Sequence, residues 1–371
     1  MNDIKLQNIP TMSVGGAVTA LSELYTSAIQ AGLPLRTIPS VMLWGPPGVG
    51  KSQAIRQMAD AITAGTGKRT VVTDVRLLLF NPIDLRGIPT ANADKTLAVW
   101  LKPKIFQMDE GRDLVNILFL DEISAAPQSV QAAAYQITLD RVVGEHRLPE
   151  NCIVMAAGNR TTDKSVAFKM PKALANRLMH LEIEGSFSSW RGWAVSHGIH
   201  RMVLGFLSFR QSYLMGFDSG NEDLAFPTPR SWEMVSNLLH AAGEDTEKLY
   251  PLIAGLVGSG TAIEFRTWAR IYADLPRIED IFDGKMPPLP GNSDAMYALA
   301  ASITAYAREH RHETARLASS IRYIDRMPPD FSALVMRDYM CFEPDFKHKL
   351  MAIPEFARWL QTKGKLLNGA Q

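Results

Sequence analysis

GPPGVGKS, from Gly45 to Ser52, follows directly on the apolar run VMLW and leads into the helical pattern SQAIRQMADAI. The string fits GxxxxGK[ST], and its flanks predict a strand, a loop and a helix in that order. Such a turn aims successive backbone N–H groups and the positive end of a helix at one spot, where a polyphosphate can sit. Gly45, Gly48 and Gly50 admit backbone conformations and close approaches that side chains forbid. Pro46, Pro47 and Val49 complete the loop. Lys51 is expected to neutralise the β- and γ-phosphates of a nucleotide, and the Ser52 hydroxyl to ligate magnesium. A glycine-rich turn that merely joins strand to helix is the bland alternative. Eight matching positions with both flanks in place argue against it.

A phosphate cradle alone hydrolyses nothing. ILFLDEIS, from Ile117 to Ser124, supplies the second part. Its apolar residues predict a buried strand, with two carboxylates at the C-terminal end, where ligands bind in open α/β sheets. Asp121 is placed to hold magnesium, directly or through water, and Glu122 to orient and activate an attacking water. An acidic pair capping the next helix would look the same in isolation. Behind a phosphate loop, the catalytic reading prevails. ATP or ADP with Mg2+ is therefore the expected cofactor set.

Working outward, short branched-apolar runs predict strands at Val41 to Trp44, Thr70 to Asp74, Asn116 to Leu120, Cys152 to Ala157 and His180 to Glu184. Helical spacing over Val14 to Ala31 ends at Gly32, a plausible cap. Strands alternating with helices indicate a parallel sheet between helical layers, a three-layer αβα sandwich. Beyond residue 185 the pattern turns helical, as in Trp190 to Leu214, Ser231 to Ala242 and Ala295 to Ile324, with a loop at Gly284 to Asn292. Two parts are expected: an α/β nucleotide-binding core over 1–185 and a helical lid with C-terminal region over 186–371.

At this point the sequence resembles the AAA+ ATPases, and within them the MoxR-like branch, over roughly residues 35 to 235. GPPGVGKS and FLDEIS stand as Walker A and Walker B motifs. Asn81 to Phe106 resembles the helix-2 insert of that branch, and Arg141 to Leu148 its hairpin before sensor 1. The resemblance implies sensor 1 at Asn159, ending VMAAGN, where an isolated Gly–Asn turn would otherwise be the natural reading. It implies an arginine finger at Arg177, acting on a neighbouring subunit, although Asn176 and Leu178 flank it where the family has Asp and Phe. Arg160 is a second candidate for that trans role. Sensor 2 falls on Arg230 in FPTPRSWEM, at a helix start where a cation opposes the dipole and so wants a phosphate partner. The implied activity is Mg-dependent ATP hydrolysis by a homo-oligomeric ring, a hexamer by resemblance. It would remodel or mature a protein client together with a von Willebrand factor A domain partner.

Composition narrows the alternatives. Lys and Arg number 39 against 38 Asp and Glu, a net charge of +1, so the basic excess of a duplex-binding protein is missing. An AAA+ nucleic-acid motor or loader is the second reading, and a nucleotide-gated scaffold with little hydrolysis the third. Glu122, Asn159 and Arg177 argue against the scaffold, which needs none of them. With 46% hydrophobic residues the chain can bury large cores. Its two cysteines, Cys152 and Cys341, make no disulfide framework and are expected as buried thiols. The opening MNDIKLQNIP has no signal-peptide pattern, and no apolar run is long enough for a bilayer, so a cytoplasmic protein is expected. EHRHET, from Glu309 to Thr314, lacks zincin spacing because position 316 is Arg. Trp190, Trp193 and Phe206 read as core or packing residues.

Overall fold

Each apolar run bounded by turn-formers becomes a strand, one to three residues longer where the pairing extends past the apolar stretch. The computed structural model describes residues 9–160, 170, 175–216, 223–343 and 346–367. In chain order its strands are β1 (Thr11–Ser13), β2 (Val41–Trp44), β3 (Arg69–Arg76), β4 (Ile88–Ala91), β5 (Ala98–Leu101), β6 (Leu114–Asp121), β7 (Val142–Val143), β8 (His146–Arg147), β9 (Cys152–Gly158) and β10 (Met179–Glu184). A parallel sheet runs in the order β1-β10-β2-β9-β6-β3. The glycine loop thus leaves an interior strand, and the chain moves off to both sides of it. Such a switch point opens a crevice at the carboxyl ends of the strands.

Edge strand β1 is absent from the sequence expectation. It has three residues, none buried, and pairs with β10 by matching Thr11 to Glu182. Nothing in its hydropathy marks it.

Helices α1 (Val14–Gln30), α2 (Lys51–Thr66), α3 (Pro82–Arg86) and α4 (Gln128–Asp140) accompany the sheet. Ser13 caps α1 by accepting the Gly16 N–H at 3.1 Å, and Gly32 just beyond its end takes a left-handed φ of +68°. Met42, Trp44, Leu118, Leu120, Val154 and Ala156 pack with Val130, Ala134 and Ile137 of α4 in one buried cluster. The alternating residues Val41, Leu43, Ile117, Phe119, Ile153 and Met155 are equally buried, and strand geometry turns them to the opposite face. There α1 and α2 cover the sheet. Full burial of each such side chain contributes about 1.5–3 kcal/mol, which is why β2, β6 and β9 are largely apolar on both faces.

Two hairpins stand apart from the sheet. In one, β4 pairs antiparallel with β5; in the other, β7 pairs with β8. They meet where His146 Nε2 lies 2.8 Å from the Trp100 carbonyl oxygen.

The chain divides into two compact units, Met1–Ser186 and Phe187–Gln371. In the second, the expected long helices are broken. Trp190 to Leu214 forms helices Phe187–Ser196 and Arg201–Phe209 with a short turn, because Gly198 at φ +69° ends the first and His200 caps the second. Ala295 to Ile324 becomes Ser293–Glu309 and Thr314–Asp325, interrupted where His310 and Glu313 pair at 2.5 Å. Phe206, Trp232, Phe265 and Trp268 pack ring against ring in this unit's core. Trp190 is buried there too, and Trp193 packs against it half-buried. Cys152 is buried as expected, whereas Cys341 is only half-buried; both are free thiols. Among the described residues no helix is long and apolar enough to cross a membrane.

Candidate nucleotide site

β2 ends at Trp44, and Gly45 turns the chain toward α2. A Cβ on Gly45 would lie 2.6 Å from the Ile183 carbonyl oxygen, so no other residue fits without moving β10. Gly50, at φ +106°, sets the left-handed entry to α2, and its carbonyl takes the Ala54 N–H at 2.8 Å. The free N–H groups of the first helical turn therefore point back into the loop.

Lys51 is buried, and its ammonium donates to the Gly45 carbonyl at 2.6 Å, the Pro46 carbonyl at 3.0 Å and Asn159 Oδ1 at 2.9 Å. Ser52 Oγ donates to Asp121 Oδ2 at 2.9 Å. The other carboxylate oxygen, Oδ1, accepts the Glu122 N–H at 2.8 Å. The loop, the end of β6 and the end of β9 thus close on one point. Asn159 is held from behind, its N–H donating to Ser124 Oγ at 2.9 Å.

Glu122 sits at φ +59°, a region uncommon for a residue with a side chain. Such a conformation costs on the order of 1–3 kcal/mol and persists only where the surroundings impose it. Here the Asp121 carboxylate and the bond from Ile123 N–H to the Ala157 carbonyl, 2.9 Å, impose it. On β3, partial burial and then the Asp121 carboxylate raise Asp74 above the usual carboxylate range.

The donor set suits a magnesium nucleotide. Asp121 and Ser52 offer hard oxygens side by side, as Mg2+ prefers, and the glycine cradle leaves room that a Cβ would fill. When bound, the metal neutralises charge on the polyphosphate. Lys51 can exchange its carbonyl partners for phosphate oxygens, and Glu122 can accept a proton from water.

Three arginine candidates remain. Arg177 is exposed on a turn and, among the described residues, makes no hydrogen bond or ion pair. Arg160 ion-pairs with Glu182 of β10. Because β2 lies between β9 and β10, this pair spans the end of the loop-bearing strand, which sets Arg160 apart from an arginine held out toward a neighbour. Arg230 is an exposed residue in the first turn of helix Pro229–Ala242, in the second unit. Thr228 caps that helix, accepting the Ser231 N–H at 3.0 Å. Sequence reading missed Ser124, Asp74 and the contact of Trp44 with His180, which have no local signature.

With this geometry in place, residues 40–180 match the family model described as ATPase family associated with various cellular activities (AAA). This stretch is an ATP-hydrolysing module. Its nucleotide is ATP, released as ADP. No curated protein matches the chain. Among solved structures, the chain is similar to C. elegans PCH-2 at 11% identity, over 71% of this chain and 70% of that one, with a TM-score of 0.34. It is similar to a Thermotoga maritima RuvB P216G mutant at 15% identity, over 80% and 86%, with a TM-score of 0.33. NtrX from Brucella abortus, in complex with ADP, is 15% identical over 98% and 70%, with a TM-score of 0.30.

Proposed function

We propose that this ATPase is the subunit of a MoxR-like ring, with each site completed by a neighbour. Gly45, Pro46, Pro47, Gly48, Val49, Gly50, Lys51 and Ser52 cradle the polyphosphate, while Ser52 and Asp121 hold Mg2+. Glu122 serves as the base toward water, with Asn159 beside it as sensor 1. Arg177 is the finger offered to the adjacent subunit, and Arg230 is sensor 2. Hydrolysis in the ring, a hexamer in this reading, remodels or matures a protein client together with a von Willebrand factor A domain partner.

Arg177, exposed and without a partner among the described residues, supports the trans role most directly. A cation that serves its own site would be expected to find acceptors on its own chain. A trans arginine contributes about 10³–10⁵ in rate, so an isolated subunit should be almost idle. The test is ATP turnover per subunit across a wide range of protein concentration, with magnesium present. A specific rate that climbs steeply supports completion between subunits. A substantial rate independent of concentration would remove Arg177 from that role.

A further inference from the structure

Two rings join the phosphate loop to the turn that carries Arg177. Trp44 is the last residue before Gly45. Its indole N–H can only donate, so His180 Nδ1, 2.9 Å away, must accept. The proton of the neutral ring then sits on Nε2, which donates to the Ala175 carbonyl at 2.7 Å. That carbonyl also accepts the Leu178 N–H at 3.2 Å. The turn so closed runs Ala175–Asn176–Arg177–Leu178, with Arg177 exposed at its third position and Leu178 anchored in the core. Register explains the reach. His180 pairs with Met42, so it shares a sheet face with Trp44 two residues on, and the two rings stack at 17° with centroids 6.0 Å apart.

We propose that His180 is a positioning residue that couples the phosphate loop of its own subunit to the arginine turn offered to the next. The proposal rests on the reading of Arg177 given above. A single imidazole with one proton serves both neighbours, as acceptor toward Trp44 and donor toward Ala175. A displacement of the loop-bearing strand therefore acts on the Arg177 turn through one rigid ring. The state of one nucleotide site is thereby felt at the finger that completes the adjoining site.

The test uses the full chain at protein concentrations where wild-type turnover has reached its plateau. His180→Phe keeps a flat ring without its polar atoms, and Trp44→Phe removes the indole donor. Each is expected to lower kcat about tenfold, the rate equivalent of losing one or two ordinary hydrogen bonds. KM for ATP should hold within about twofold, since the loop itself is intact. The double variant should be no slower than His180→Phe alone, and His180→Gln, whose amide can reach Ala175, should recover part of the rate. Unchanged kcat in both single variants, multiplied effects in the double, or a raised KM with kcat intact would overturn the coupling. Should His180→Phe fail to fold by circular dichroism, Trp44→Phe and His180→Gln decide the matter. Arg177→Ala runs alongside: full turnover there defeats the finger reading, whereas loss there with normal His180 variants defeats the coupling only.

Discussion

Lys51 Nζ lies 2.9 Å from Asn159 Oδ1, although 108 positions separate the two residues. The bond ties the start of α2 to the end of β9 across the mouth of the phosphate loop. It also brings together the two groups expected to meet the γ-phosphate, one as cation and one as amide. The Gly45 and Pro46 carbonyls and the Asn159 amide that the ammonium meets are neutral oxygens, and a polyphosphate competes well with them because charged hydrogen bonds are roughly twice as strong.

Lys51→Ala should therefore weaken ATP binding by about 10–100-fold, the equivalent of a charge-assisted hydrogen bond. Equilibrium titration with a fluorescent ATP analogue measures this. Tight retention of nucleotide by the variant would displace Lys51 from the phosphate site.

Glu122→Gln should bind ATP normally and turn it over about 10²–10⁴-fold more slowly, as expected for loss of a general base. The amide keeps the shape and the left-handed backbone position but cannot take a proton. Normal turnover in a phosphate-release assay would remove Glu122 from the reaction.

Arg177→Ala should bind ATP yet lose about 10³–10⁵ in rate. Mixed with Glu122→Gln subunits, it should regain activity, because one variant brings an intact base and the other an intact finger to their shared interface. No recovery on mixing, with each variant folded and assembled, would count against action in trans.

In the helical unit, Arg191 and Asp338 form a buried fork. Nε donates to Oδ1 at 2.9 Å and Nη2 to Oδ2 at 2.6 Å, while Thr304 Oγ1 donates to Oδ2 at 3.0 Å. Asp338→Ala leaves the guanidinium buried without its counter-charge and should cost about 3–5 kcal/mol in urea unfolding. Arg191→Met with Asp338→Leu should cost far less, since both charges go together. Equal losses in the two would show that packing, rather than an uncompensated charge, dominates.

Glu244 is held down to about 2, first by its hydrogen bond with His200 and then by Arg201. A depressed carboxylate adds stability that is complete above its ordinary range and is lost as pH falls toward about 2. Glu244→Gln should accordingly lower stability at neutral pH and flatten the acid limb between about pH 5 and 2, the two curves converging toward pH 2. Acid titration followed by circular dichroism checks this, and an unaltered limb would assign the acid loss to other groups.

The nucleotide cradle was legible in the sequence because its chemistry is local. Eight consecutive residues form the loop, Asp121 and Glu122 are neighbours, and the strands that carry them announce themselves by apolar runs. Asn159 and Arg177 are singled out only by resemblance to a family, since a Gly–Asn turn and a helix-end arginine are common by themselves. Other relationships depended on the order of strands. Trp44 meets His180 across 136 positions because β10 lies beside β2, and Ser124 reaches the Asn159 N–H because β6 and β9 are adjacent. Arg160, a second finger candidate by sequence, was claimed by Glu182 across β2. Edge strand β1 and the breaks in the long helices were likewise settled by pairing partners and caps. Periodicity says which face of an element is apolar, but only the packed sheet decides which distant side chain that face will meet.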